Sequence, residues 1–151
     1  MRVPVPVLAV TVLAVVLGQP ATALAQTAAG PSFSATLVVD RPAIRIGERV
    51  LATLTLDGPA ANERDDNPNP FTDYRLTVNF RHESGSPRYA VPGYFAADGN
   101  AAETSAASGN KWRAHLSPDK TGKWTYTVSF IKGKNAAVDV SVKGTTVAGC
   151  D

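Results

Sequence analysis

The sequence predicts an all-β protein: an immunoglobulin-like antiparallel β-sandwich of about seven or eight strands, preceded by a signal peptide. Three observations lead there. Apolar residues recur with period two along the chain rather than with helical spacing. Each such run has one apolar and one polar face, the pattern of a sheet with one solvated side. Clusters of Gly, Pro, Asn, Asp and Ser separate the runs at short intervals.

The N-terminal residues are set aside first. Arg2 supplies a positive start, "VPVLAVTVLAVVLG" an apolar run, and Ala23-Leu24-Ala25 a small-x-small cleavage site. The apolar run is shorter than the ~20 residues a spanning helix needs. Residues 1–25 are therefore expected to be removed, with secretion or a periplasmic location as the consequence and no stable membrane insertion afterwards. Residues 26–32 read as a linker and 33–143 as the sandwich. Residues 144–151 read as a C-terminal tail of a truncated chain, because "GTTVAGCD" has no strand pattern. Cys150 is the only cysteine, so no intrachain disulfide can form. Without Arg2 the 15 basic residues become 14 against 13 acids. That balance provides no field to attract nucleic acid or anionic lipid.

The strands follow in order. "SATLVVD" places Ala35, Leu37 and Val39 on one face, and "RVLATLTLD" does the same for Val50, Ala52, Leu54 and Leu56. "DGPAANERDDNPNP" reads as a break, its charged part solvated. "YRLTVNFRH" sets Tyr74, Leu76, Val78 and Phe80 against Arg75, Thr77, Asn79 and Arg81. In "YAVPGY", Pro92 confines the segment to an edge or a bulge. "AAETSAASG" is a loop with room for one helical turn. "KWRAHL" turns Trp112, Ala114 and Leu116 inward, and "KWTYTVSF" turns Trp124, Tyr126, Val128 and Phe130 inward. "VDVSV" closes the sheet with Val138, Val140 and Val142. Before the Trp124 strand, "LSPDKTG" makes a turn to which a tyrosine such as Tyr126 can tie its hydroxyl.

The sequence carries no recognisable catalytic set. His82 and His115 are expected at strand ends on the polar face, and no His-x-x-x-His or Cys/His cluster supplies zinc ligands. Neither a Gly-x-Ser-x-Gly elbow nor a phosphate-cradling Gly-Lys-Ser/Thr loop occurs. Glu63, Asp65, Asp66, Glu83, Asp98 and Glu103 fall in loops, where glycosidase-like spacings arise by chance. No enzyme, cofactor or metal site is expected. Asp98-Gly99-Asn100, with Glu103, has oxygens for calcium, but the spacing misses an EF-hand loop and a turn is the better reading. Trp112 and Trp124 offer a sugar platform or a core, and alternation with small and apolar partners favours the core, together with Tyr126. Tyr89, Tyr94, Asp98 and Asn100 are the residues left for a ligand or domain contact.

Five motifs together carry a family resemblance. They are Asn69-Pro70-Phe71, Val91-Pro92-Gly93, Ala97-Asp98-Gly99-Asn100, Gly109-Asn110-Lys111-Trp112 and Gly122-x-Trp124-x-Tyr126. Across Phe33 to Val142 the chain resembles the bacterial domain of unknown function numbered 5060, an immunoglobulin-like module of secreted glycoside-hydrolase-type proteins. The resemblance implies a non-catalytic accessory part of a carbohydrate-active protein, with a polysaccharide or an adjacent catalytic domain as partner. A free-standing carbohydrate-binding protein is the alternative. The resemblance also implies that "AADGN" and "GNKW" form a structured loop rather than an arbitrary spacer.

Overall fold

The computed structural model describes residues 51–147 in full, and the backbone of residues 10–15 and 35–39. Its strands are β1 (Val10–Val15), β2 (Ala35–Val39), β3 (Ala52–Asn62), β4 (Tyr74–His82) and β5 (Arg88–Pro92). They continue with β6 (Tyr94–Phe95), β7 (Ser108–Leu116), β8 (Gly122–Lys132) and β9 (Thr145–Thr146). One helical turn, α1 (Ala101–Thr104), interrupts them. Two antiparallel sheets result. Sheet A runs β1-β8-β4-β5, with β9 also on β8, and sheet B runs β2-β3-β7-β6.

Alternation explains the packing. Leu54 and Leu56 of β3 and Trp112 and Ala114 of β7 are buried in sheet B. Leu76, Val78 and Phe80 of β4 and Trp124 and Phe130 of β8 are buried in sheet A. The two inner faces meet at Trp112, which is 1% exposed. Its indole lies 5.2 Å from the Tyr74 ring and 4.8 Å from Phe130 across the sandwich, and 5.2 Å from Phe95 beside it. Tilted and edge-on aromatic contacts of this kind add to the apolar area removed from water.

Several expectations need correction. The "DGPAAN" break is part of β3, whose register shifts between Asp57 and Ala61. Pro59 sits in that bulge, where a strand tolerates proline, and its carbonyl accepts the Trp112 Nε1–H at 3.1 Å. "VDVSV" is no strand: residues 134–141 form turns, and Val138 and Val140 are exposed. Two of its backbone carbonyls, Asp139 and Val142, accept from Arg75, which also donates to the Ala136 carbonyl just before it. Asp139 accepts from both the hydroxyl and the N–H of Ser141, which lowers its pKa and keeps the backbone in a local turn. In the tail, Thr145–Thr146 instead pairs with Ile131–Lys132. The stretch Val10–Val15, inside the expected leader, pairs with Gly122–Tyr126 of β8. The remaining leader and linker residues, and Cys150, lie outside the described residues.

His82 is not on the polar face. It is 4% exposed, at the inward end of β4. Its Nε2 donates to the Thr121 carbonyl at 3.0 Å, so Nδ1 is left to accept from the Ser84 N–H. Beside it stands Trp124, edge-on at 5.2 Å, with Tyr89 stacked on its other side at 5.9 Å. The turn before β8 is tied by Trp124, whose Nε1 donates to the Lys120 carbonyl at 3.1 Å. Tyr126 instead packs against Phe80 and is half-buried, with burial raising its pKa.

Trp124 thus fills space and satisfies its only polar atom. Trp124→Ala is expected to destabilise the fold by about 3–5 kcal/mol in urea unfolding, the range for truncating a buried aromatic. A loss below ~1 kcal/mol would mean that the ring contributes little to the core.

Candidate functional site

The segment after β5 carries the chain from sheet A to sheet B. Gly93 makes that crossing against Leu76: its N–H donates to the Leu76 carbonyl at 2.8 Å, and a Cβ there would lie 2.3 Å from Leu76 Cδ2. The next two residues form β6, with Tyr94 opposite Arg113 and Phe95 opposite Trp112. Phe95 turns into the core and Tyr94 turns out, 45% exposed.

The loop then folds back on the start of β7. Ala96 N–H donates to the Lys111 carbonyl and Lys111 N–H to the Ala97 carbonyl, at 2.8 and 2.9 Å. Ala97 and Gly99 take positive φ to make this turn. Asp98 completes it. One carboxylate oxygen accepts the Asn100 N–H at 2.7 Å, and the other accepts the Thr104 hydroxyl at 2.6 Å. The Thr104 hydroxyl and then the Asn100 N–H lower the Asp98 pKa, with a smaller contribution from Arg113. α1 follows and is closed by Ser105 in the left-handed conformation. Gly109 accounts for the other half of the motif. A Cβ there would lie 2.1 Å from the Ala97 carbonyl oxygen, so the loop can cross β7 only over a glycine.

A second network occupies the outer face of sheet B. The two ring nitrogens of His115 meet the Thr53 hydroxyl (Nδ1) and the Tyr94 hydroxyl (Nε2), each at 2.9 Å. Both hydroxyls can donate or accept, so either tautomer is satisfied. Arg113 donates to the Thr55 hydroxyl at 3.3 Å, and Lys111 pairs with Asp57. Tyr94, His115, Arg113 and the Asp98 loop therefore share one face. Tyr89 does not join them. It lies on sheet A, donates to Asp119 at 2.5 Å, and has its pKa raised by that bond first and by burial second.

Of the residues read as contacts, Tyr94 and Asp98 lie by Arg113, Asn100 is bonded to Asp98 within the loop, and Tyr89 lies apart. Sequence reasoning missed Thr53 and Arg113 as neighbours of Tyr94. Their signal was present: both sit on the polar side of their alternating strands, and register brings them together. Among the described residues no group of three or more His, Cys, Asp or Glu is placed to hold a metal ion.

The motif residues on this face also fall inside a known family. A family model described as a domain of unknown function (DUF5060) matches residues 50–131, more than half of the chain. The chain belongs to the DUF5060 family. The DUF5060 match covers β3 to β8, a shorter span than the resemblance from Phe33 to Val142. It contains the Asn69, Gly93, Asp98, Gly109 and Trp124 motifs of this chain. No curated protein and no solved structure matches it.

Within the matched span, the segment at Asn69 has a structural task like that of Asp98. Asn69 Oδ1 accepts the Phe71 and Thr72 N–H groups, and Asp73 accepts those of Asn69 and Asn135. The Asn135 and Asn69 N–H groups lower the Asp73 pKa and tie the loop before β4 to the loop after β8.

Asp98→Ala is expected to lower the melting temperature by the same amount in calcium and in chelator, because the carboxylate is filled by its own loop. A calcium-dependent rise in the wild type that the variant loses would instead establish a metal site. The pH dependence has a definite sign. With its folded pKa lowered, the contribution of Asp98 is full above the ordinary carboxylate range and is lost as pH falls through the lowered value. The variant should therefore lose less stability than the wild type across that acid range.

Proposed function

We propose that the chain is a non-catalytic, immunoglobulin-like module of a secreted, carbohydrate-active protein of glycoside-hydrolase type, and that it packs on or presents a neighbouring domain. One observation carries this reading: the polar and glycine residues of the Asn69, Asp98 and Gly109 segments are consumed in folding. Both Asp98 oxygens are taken within the loop, Gly109 admits the loop backbone, and Asn69 and Asp73 clasp two connections. A catalytic acid needs a carboxyl group free to exchange a proton with substrate. The family resemblance supplies the carbohydrate context, and the leader pattern of residues 1–25 supplies secretion.

A second reading, a free-standing carbohydrate-binding protein, draws on the Tyr94 face. Tyr94 is exposed, and its hydroxyl is held by His115, which is itself held by Thr53. An ordered ring beside Arg113 is suited to stacking on a sugar while neighbouring polar groups bond its hydroxyls.

The purified chain is expected to leave polysaccharides and aryl glycosides unhydrolysed. Activity that survives repurification and disappears with Glu103→Gln or Glu83→Gln would overturn the proposal. Retention on an insoluble polysaccharide that is lost with Tyr94→Ala, at unchanged melting temperature, would favour the second reading. Absence of retention leaves the module reading in place.

A further inference from the structure

β8 has the sequence of an interior strand but, among the described residues, is only partly covered on one side. Its alternation of Trp124, Tyr126, Val128 and Phe130 with polar residues runs without proline for its whole length. β4 covers one side from Trp124 to Lys132. On the other side β1 pairs with Gly122–Tyr126, and β9 pairs with Ile131–Lys132. Among the described residues no strand pairs with Thr127, Val128 and Ser129 on that side. Burial reflects the gap. Trp124 and Phe130 are buried, while Tyr126 and Val128 between them are only half-buried.

The opposite edge of sheet A is protected in a way that β8 is not. β5 is short, starts at an exposed Arg88 and ends at Pro92, features that discourage pairing. β8 depends on β1, whose sequence VTVLAV is extended, apolar and rich in β-branched residues. β1 also lies within the residues expected to leave with the leader. Its removal would open the backbone of β8 from Gly122 to Ser129, a ready template for strand addition.

We propose that this edge of β8 is a strand-accepting site. Val10–Val15 fills it in the intact chain. After that segment leaves, it takes one extended, β-branched-rich strand from another polypeptide, antiparallel to β8. The backbone ladder supplies the binding energy, and apolar side chains on the core-facing side cover Tyr126 and Val128. The proposal rests on leader removal in the secreted protein. N-terminal sequencing of the exported chain tests that separately from the site itself.

The site is tested in the full chain carrying a specific protease site between Ala25 and Gln26, cut after folding. The probe is a fluorescent peptide of residues 9–16 flanked by lysines. Before cutting, among the β8 amides that point away from β4, those in Gly122–Tyr126 should exchange at least about tenfold more slowly than those in Thr127–Ser129, and no peptide should bind. After cutting, the peptide should replace the released strand one-to-one and restore that protection. If the cut chain unfolds, recovery of its near-ultraviolet dichroism on adding peptide supports the site equally. A peptide with Thr11→Pro and Leu13→Pro should not bind, since proline breaks the ladder. Equal exchange rates in the intact chain would overturn the proposal. So would binding of the proline peptide, or a cut chain that neither binds nor refolds. A cut chain that dimerises without taking peptide would assign the edge to a second copy instead.

Discussion

The contact of Trp112 with Tyr74 and Phe130 is the constraint on which the rest of the structure depends. It joins the two sheets through three large rings, and it fixes register on both sides. Trp112 stands opposite Leu56 in sheet B and Phe130 opposite Leu76 in sheet A. A slip of one residue in β7 would turn Trp112 out to water and bring a charged neighbour, Lys111 or Arg113, inward, and a slip in β8 would turn Phe130 out. The indole N–H adds a further requirement. It needs an acceptor inside the sandwich, and the β3 bulge at Pro59 provides one.

From that centre the loops acquire their shapes. β7 must hold Trp112 inward, so its preceding residues lie under the Asp98 loop, and only glycine at 109 leaves room for the Ala97 carbonyl. β4 must hold Tyr74 inward, and Asp73 immediately before it gathers amides from two loops. Polar residues that sequence inspection marks as ligand candidates are thereby engaged in holding strand ends. The outer face of sheet B differs. There, Tyr94, His115 and Thr53 form an ordered network on a surface rather than a clasp between connections.

Much of this was legible in the sequence. The alternation in "YRLTVNFRH" identifies β4, where burial follows it residue by residue, and that in "KWTYTVSF" identifies β8, where Trp124 and Phe130 are buried and Tyr126 and Val128 half-buried. The same parity places His82 inward, yet its polarity argued for the surface. The Thr121 carbonyl and the Ser84 amide resolve that conflict by satisfying both ring nitrogens. "VDVSV" alternates as well as many strands do, but Asp139 binds Ser141 and Arg75 collects the carbonyls, so local bonds replace a ladder. Pro59 suggested a break because proline lacks a donor, and the bulge removes the need for one. The convergence of Tyr94 with Thr53 and His115 depends on pairing between strands distant in sequence, which composition cannot specify.

The central claim is that the sandwich is fastened by aromatic contact across the sheets at Trp112. A double-mutant cycle of Trp112→Leu and Phe130→Leu, followed by urea unfolding, measures that contact directly. The structure predicts that the two losses are not additive, with a coupling of about 0.5–1.5 kcal/mol between the rings. Additive losses, with coupling near zero, would show that the two rings stabilise their own sheets independently and would contradict the account.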